Sequence, residues 1–231
     1  MGRASGVSVE VLLPDRRRGG GLSSWASKRP QAQVVVDDGR GGQDTLTVPV
    51  SVGRSYATWL RGHEAAAPGS RNEVVYQLRQ FQEARAGQRV ADLLNRRDYS
   101  SKELADKLAA DGYWRDVISS CLARCQDANL VNDARYADVF IRSKVSAGWG
   151  QARIAQGLAQ RGIQADDLEG WPEAYLPQDE EADRAYQLAS RRRYGGRDPY
   201  AKVVRFLCSR GFGMHLAQSV AQRMRDEGLL D

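Results

Sequence analysis

Apolar residues recur every four positions through much of this chain, and glycine punctuates the recurrence. The phrase Leu104-x-x-x-Leu108-x-x-x-Gly112-Tyr113 returns as Ile154-x-x-x-Leu158-x-x-x-Gly162-Ile163 and again as Val203-x-x-x-Leu207-x-x-x-Gly211-Phe212. Residues four apart share one helix face. A glycine after the last apolar position stops a helix, because glycine enters the left-handed conformation cheaply. Each phrase therefore predicts the end of an amphipathic helix and a turn. The match continues beyond it. Shifted by 99 residues, Val117, Cys121 and Cys125 fall on Leu216, Val220 and Met224, and Asn129-Leu130-Val131 falls on Gly228-Leu229-Leu230. Upstream, Arg89 to Tyr99 matches Arg184 to Tyr194, and a middle copy opens at Arg135-Tyr136-Ala137-Asp138. The pattern predicts stacked modules of three helices, each about fifty residues long.

Residues 1–70 read differently. Val7 to Leu13, Ala32 to Val36 and Thr45 to Val50 are short and rich in Val, as strands are. Asp37-Asp38-Gly39 and Gly41-Gly42 mark a turn between the last two. Arg16 to Gly21 is a basic, glycine-rich connection that reads as a solvated tip, with phosphate binding as the sharper reading. Ser55 to Leu60 predicts a short helix, and Ala65 to Ser70 a linker. Beyond the linker, Asn72 is the expected N-cap of a long helix reaching Leu94, with Gly87 as its weak point. Ser100 with Glu103 forms a capping box, Asn132-Asp133 starts the second module, and the acidic run Asp179 to Asp183 suits a helix N-terminus. The third helix of the middle module is the weakest match, because Pro172 and Pro177 interrupt it. The expected architecture is mainly α: tandem three-helix repeats in an elongated array, behind a small β-containing N-terminal domain. Its divisions are 1–70, then 71–133 with a linker helix and repeat 1, 134–178 for repeat 2, and 179–231 for repeat 3.

The 231 residues carry 34 Lys and Arg against 29 Asp and Glu, a formal charge of +5. Mild basicity favours nucleic acid or an acidic protein surface. No apolar run is long enough to span a bilayer and no signal-peptide core is present, so the expected location is the cytoplasm, with no membrane partner. Cys121 and Cys125 lie four apart without a further ligand nearby, and read as core thiols rather than a metal site. His63 and His215 stand in unrelated contexts, and there is neither a paired carboxylate constellation nor a nucleotide-binding loop. The reading is a protein without catalytic residues, metal or cofactor. Candidate contacts to an elongated anionic partner are the basic residues of the modules. They are Arg96, Arg97 and Lys102, then Arg135, Arg142, Lys144, Arg153 and Arg161, then Arg191, Arg192, Arg193, Arg197, Lys202, Arg205 and Arg210. Trp149, between two glycines, reads as a lid over a helix pair or as a residue facing a partner.

Asp133-x-x-Tyr136-Ala137-x-x-Phe140-Ile141 followed by Gly148-Trp149-Gly150-x-x-Arg153-Ile154 resembles the central signature of the RecX family. Arg97 to Leu104, and Arg205-Phe206-Leu207-x-x-Arg210-Gly211-Phe212, match its flanking repeats. The resemblance covers about residues 72–231. It implies a bacterial regulator of the RecA recombinase that lies in the groove of the RecA–single-stranded DNA filament. Such a regulator lowers ATP hydrolysis and strand exchange and favours disassembly, within DNA repair, recombination and the SOS response. Some members also bind DNA. The alternative is a helix-turn-helix DNA-binding protein, suggested by Ser100 to Leu108, Gly112 and the helix ending at Asn129. Its winged form needs a β-hairpin after Leu130, where Asn132-Asp133 instead signals another helix.

Overall fold

The computed structural model describes residues 7–14, 29–39, 41–64 and 67–230, without the side chains of Gln178 and Asp179. The Arg16 to Gly21 connection and Ala65-Ala66 of the expected linker lie outside the described residues. The chain divides into two compact units, Met1–Val131 and Asn132–Asp231.

The first unit opens with an antiparallel meander of β1 (Ser8–Leu12), β2 (Gln31–Asp37) and β3 (Gln43–Pro49). Val9 pairs with Val36, and Val34 with Leu46. Strand alternation sends Ala32, Val34 and Val36 to one face, where they are buried. Helix α1 (Val50–Gly62) is longer than the segment 55–60 predicted, because it starts directly at the end of β3. It covers the buried face of the sheet with Val52, Gly53 and Tyr56. A Cβ on Gly53 would collide with the Ala32 methyl, so glycine sets how closely α1 approaches β2.

Helix α2 (Arg71–Leu94) starts one residue before the expected cap. Ser70 rather than Asn72 closes it, accepting from the Glu73 N–H at 3.3 Å, while Glu73 returns a bond to the Gly69 N–H at 2.7 Å. Its buried stripe is Val74, Leu78, Gln82, Ala86, Val90 and Leu93, the helical spacing a core demands. Helices α3 (Ser101–Asp111) and α4 (Arg115–Asp127) complete the first repeat. Ser100 and Glu103 form the reciprocal capping box at the start of α3.

The sheet does not stand apart from these helices. One continuous core runs from Ala32 to Val131. Trp114 ties the two parts together: its indole N–H donates to the Thr47 carbonyl of β3 at 2.9 Å, and its backbone N–H to the Oε1 of fully buried Gln82 at 3.0 Å. The sheet and α1 share one apolar core with the first repeat and do not close a separate one.

The second unit contains α5 (Asp133–Ser146), α6 (Gln151–Gln160), α7 (Gln178–Ser190), α8 (Pro199–Ser209) and α9 (Met214–Asp226). It has two cores. One is built on Ala137, Ile141, Ile154 and Leu158, the other on Ala185, Val203, Leu207, Phe212 and Met224. The middle repeat has no third α-helix. Its place is taken by a single 3-10 turn at Ala165–Asp167 and further turns, from which Leu168, Trp171, Tyr175 and Leu176 pack onto the core. Pro172 and Pro177 lack the N–H groups that a continuing helix would need.

The three glycine turns are equivalent. Gly112, Gly162 and Gly211 have φ of 93°, 77° and 92°. The following residue closes the same bond each time: Tyr113 N–H to Leu108 O, Ile163 N–H to Leu158 O and Phe212 N–H to Leu207 O, all at 3.1 Å. In each copy this reversal drops the large apolar residue into the core, and Tyr113, Ile163 and Phe212 are all buried.

Candidate functional site

The chemistry exposed by the second unit is a set of cations laid against aromatic rings around the joint between its two repeats. The joint is backbone to backbone. Helix α6 has no side-chain cap of its own. Its first N–H groups are taken up by the third repeat: Gly150 N–H donates to Arg210 O at 2.9 Å, Ala152 N–H to Gly211 O at 3.1 Å, and Gln151 N–H to the Glu181 carboxylate at 3.2 Å. The positive end of α6 thus faces the carbonyl end of α8, and orphan groups of one end meet orphan groups of the other. A Cβ on Gly150 would lie 2.5 Å from the backbone of Gly211, and one on Gly211 would lie 2.5 Å from the Arg153 nitrogen. Glycine is needed on both sides.

This contact places Arg153 and Arg210 on adjoining turns. Arg153 lies over the Trp149 ring at 4.2 Å and reaches Ser209 O at 3.4 Å. Lys144 sits over both Trp149 and Phe140, at 5.1 and 5.2 Å, and the two rings meet edge to face. Trp149 is half-buried against the core of the middle repeat, a lid held beneath two cations. Arg161 stands over Phe140 at 4.5 Å, donates to Tyr136 Oη at 2.9 Å and returns to Gly157 O at 2.8 Å. A Cβ at Gly157 would press on Phe140 at 2.8 Å, so this glycine makes room for the ring. In the third repeat, Arg192 at 4.3 Å and Arg210 at 5.4 Å both lie over Phe206. A guanidinium on a ring face keeps its in-plane N–H donors available to an anion.

The other candidate residues do not join this group. Arg142 is exposed and pairs with Asp138 at 2.9 Å, which raises the guanidinium pKa and holds the carboxyl below the usual range. Lys202 donates to Gly195 O at 2.6 Å and ties down the loop before α8. Arg135, Arg191, Arg193, Arg197 and Arg205 are exposed on the second unit. In the first unit Arg96 is exposed, Arg97 pairs with Glu103 at 3.1 Å while lying 3.7 Å over Tyr99, and Lys102 pairs with Asp106.

Arg184, which is not among the candidate residues, also belongs to this joint. It is half-buried, donates to Trp149 O at 3.2 Å and lies over Phe212. Burial pushes its pKa down, against the pull of Glu181 and Glu180. Arg184 aligns with Arg89 of the first repeat, and that register was the available signal. Among the described residues no group of three His, Cys, Asp or Glu side chains could hold a metal. No described helix is long and apolar enough to cross a membrane. Cys121 and Cys125 are buried, and burial together with Cys125 pushes the Cys121 thiol up to about 11.

Fold and surface define a protein of repeated three-helix modules whose cations are seated on aromatic rings. The first three-helix domain of RecX matches residues 86–125 and the second matches residues 132–169. The regulatory protein RecX of Chromohalobacter salexigens is 43% identical over 122 residues, covering 52% of this chain and 80% of that relative. Those of Pseudomonas entomophila and Vibrio parahaemolyticus are 35% and 32% identical, over 82% and 90% of their lengths and 54% and 60% of this chain. The chain belongs to the RecX family. The crystal structure of RecX from Lactobacillus salivarius shares the fold at a TM-score of 0.55 and 21% identity, covering 62% of this chain and 97% of its own. A second RecX crystal structure does so at 0.55 and 20%, over 95% of this chain and 99% of its own.

Proposed function

We propose that this protein is a non-enzymatic, cytoplasmic regulator that binds the RecA–single-stranded DNA filament in its groove. There it inhibits ATP hydrolysis and strand exchange and favours disassembly, within DNA repair, recombination and the SOS response. Single-stranded DNA is contacted through the filament or directly. The observation that carries this reading is the glycine-turn geometry shared by all three repeats in a member of the RecX family. A filament offers the same surface again and again along its axis. Modules of one construction present similar faces to successive subunits, and each engaged module raises the effective concentration of the next. To change activity, the bound protein must favour one filament geometry over another. The divisions 71–133, 134–178 and 179–231 are the units proposed to meet the filament, with the basic residues named above as their contacts.

The helix-turn-helix alternative finds α5 where its wing should be. The test is RecA's DNA-dependent ATPase titrated with this protein. Progressive inhibition is expected, weakened when Arg191, Arg192 and Arg193 are all changed to Glu. An ATPase unmoved at micromolar excess overturns the reading, and wild-type behaviour of the triple variant moves the contact surface elsewhere.

A further inference from the structure

The first unit holds a cleft of about 520 Å³ that the filament reading does not use. Its walls are supplied by the sheet, α1, α2 and the Gly112 turn, so it exists only because the sheet docks on the first repeat. Three arginines line it, Arg29, Arg54 and Arg89, against one carboxylate, Asp111. The Asp111 side chain is only 11% exposed and holds two of them: Arg29 Nη1 lies 2.8 Å from one oxygen and Arg89 Nε 2.8 Å from the other. Each guanidinium spends one nitrogen on Asp111 and keeps further N–H donors. Arg54 is exposed on α1, and its guanidinium meets no carboxylate among the described residues. Three cations against one anion exceed what an internal ion-pair cluster needs. The shared carboxylate orients two of the arginines, and among the described lining residues the cations outnumber the carboxylates by two.

We infer that this cleft takes the phosphate of a nucleotide, at the end of a nucleic-acid strand or free. A phosphate monoester carries between one and two negative charges near neutral pH and matches the planar fork of arginine. Helix α1 begins in the cleft with Pro49 before it, so Val50 and Ser51 add first-turn N–H groups without a competing side-chain cap. Pro14, Pro30 and Pro49 give the cleft apolar lining, suited to a sugar and base beside the charged group. Its volume is that of a small-molecule site. This assignment does not rest on the filament reading.

The test uses the full chain, with calorimetric titration by thymidine 5′-monophosphate and by thymidine. A short oligothymidylate with and without a 5′-phosphate is titrated alongside. Arg54→Glu and Arg29→Ala change exposed side chains, and circular dichroism confirms that both variants fold. Expected is phosphate-dependent binding with one nucleotide or one strand end per chain, weakened at least about tenfold in Arg54→Glu. Binding of both the monophosphate and the phosphorylated strand assigns a nucleotide site open to either source. A phosphate effect seen with the oligonucleotide alone assigns a strand-end site. If the 5′-phosphate gives no advantage in either form, or its advantage survives unchanged in both variants, the assignment is wrong.

Discussion

Substituting Gly211 by Ala separates two roles that one glycine performs. Gly228 is the control within the same unit: it closes α9 as Gly211 closes α8, with φ of 71° against 92°, but a Cβ there meets nothing within 4 Å. Gly228→Ala therefore costs only the left-handed strain, about 1–2 kcal/mol, less up to about 1 kcal/mol from a stiffer unfolded chain. Gly211→Ala carries the same strain and in addition drives its Cβ into the Arg153 backbone. Overpacking against backbone costs about 1–3 kcal/mol, and the bonds from Gly150 and Ala152 to Arg210 and Gly211 stretch, at about 1 kcal/mol each. The total is about 4–6 kcal/mol for Gly211→Ala and about 1 kcal/mol for Gly228→Ala. Urea denaturation followed by circular dichroism measures the difference, and hydrogen exchange locates it. The amides of Gly150 and Ala152 should lose protection in Gly211→Ala and keep it in Gly228→Ala. Equal destabilisation by the two substitutions, within about 0.5 kcal/mol, would refute the close-contact argument.

Gly87 lies exposed within α2 and a Cβ there meets nothing within 4 Å, so Gly87→Ala should stabilise the first unit by about 0.5–1 kcal/mol, read as a raised urea midpoint. Ser100→Ala removes the capping box of α3 and should lower stability by about 1 kcal/mol in the same assay. Cys121 sets an alkaline limit. Its folded pKa is pushed up to about 11, above the ordinary thiol range, so between the two the unfolded chain binds fewer protons and stability falls as pH rises. The urea midpoint of the first unit should therefore be lower at pH 10 than at pH 8, and Cys121→Val should lessen the difference.

Much of the helical frame was legible along the chain because it depends on local chemistry. Leu108, Leu158 and Leu207, each followed four residues later by glycine, specify an apolar face and a left-handed stop regardless of what packs beyond them. The Ser100 capping box and the Asn132 cap are equally local. The middle repeat's missing helix was visible in its two prolines, though not the single 3-10 turn that replaces it.

Tertiary structure decided what depends on meeting partners distant in sequence. No spacing rule connects Trp114 to Thr47, so the docking of the sheet on the first repeat could not be read from either segment. Nor does sequence say that Gly211, besides stopping α8, is the surface on which α6 is capped. The basic residues show the limit most plainly. Lys144, Arg153, Arg161, Arg192 and Arg210 look like Arg197 and Arg205 in a charge count, but the first five lie on aromatic rings. Side-chain periodicity selects the face of a helix, whereas the neighbour across that face is chosen only when the chain packs.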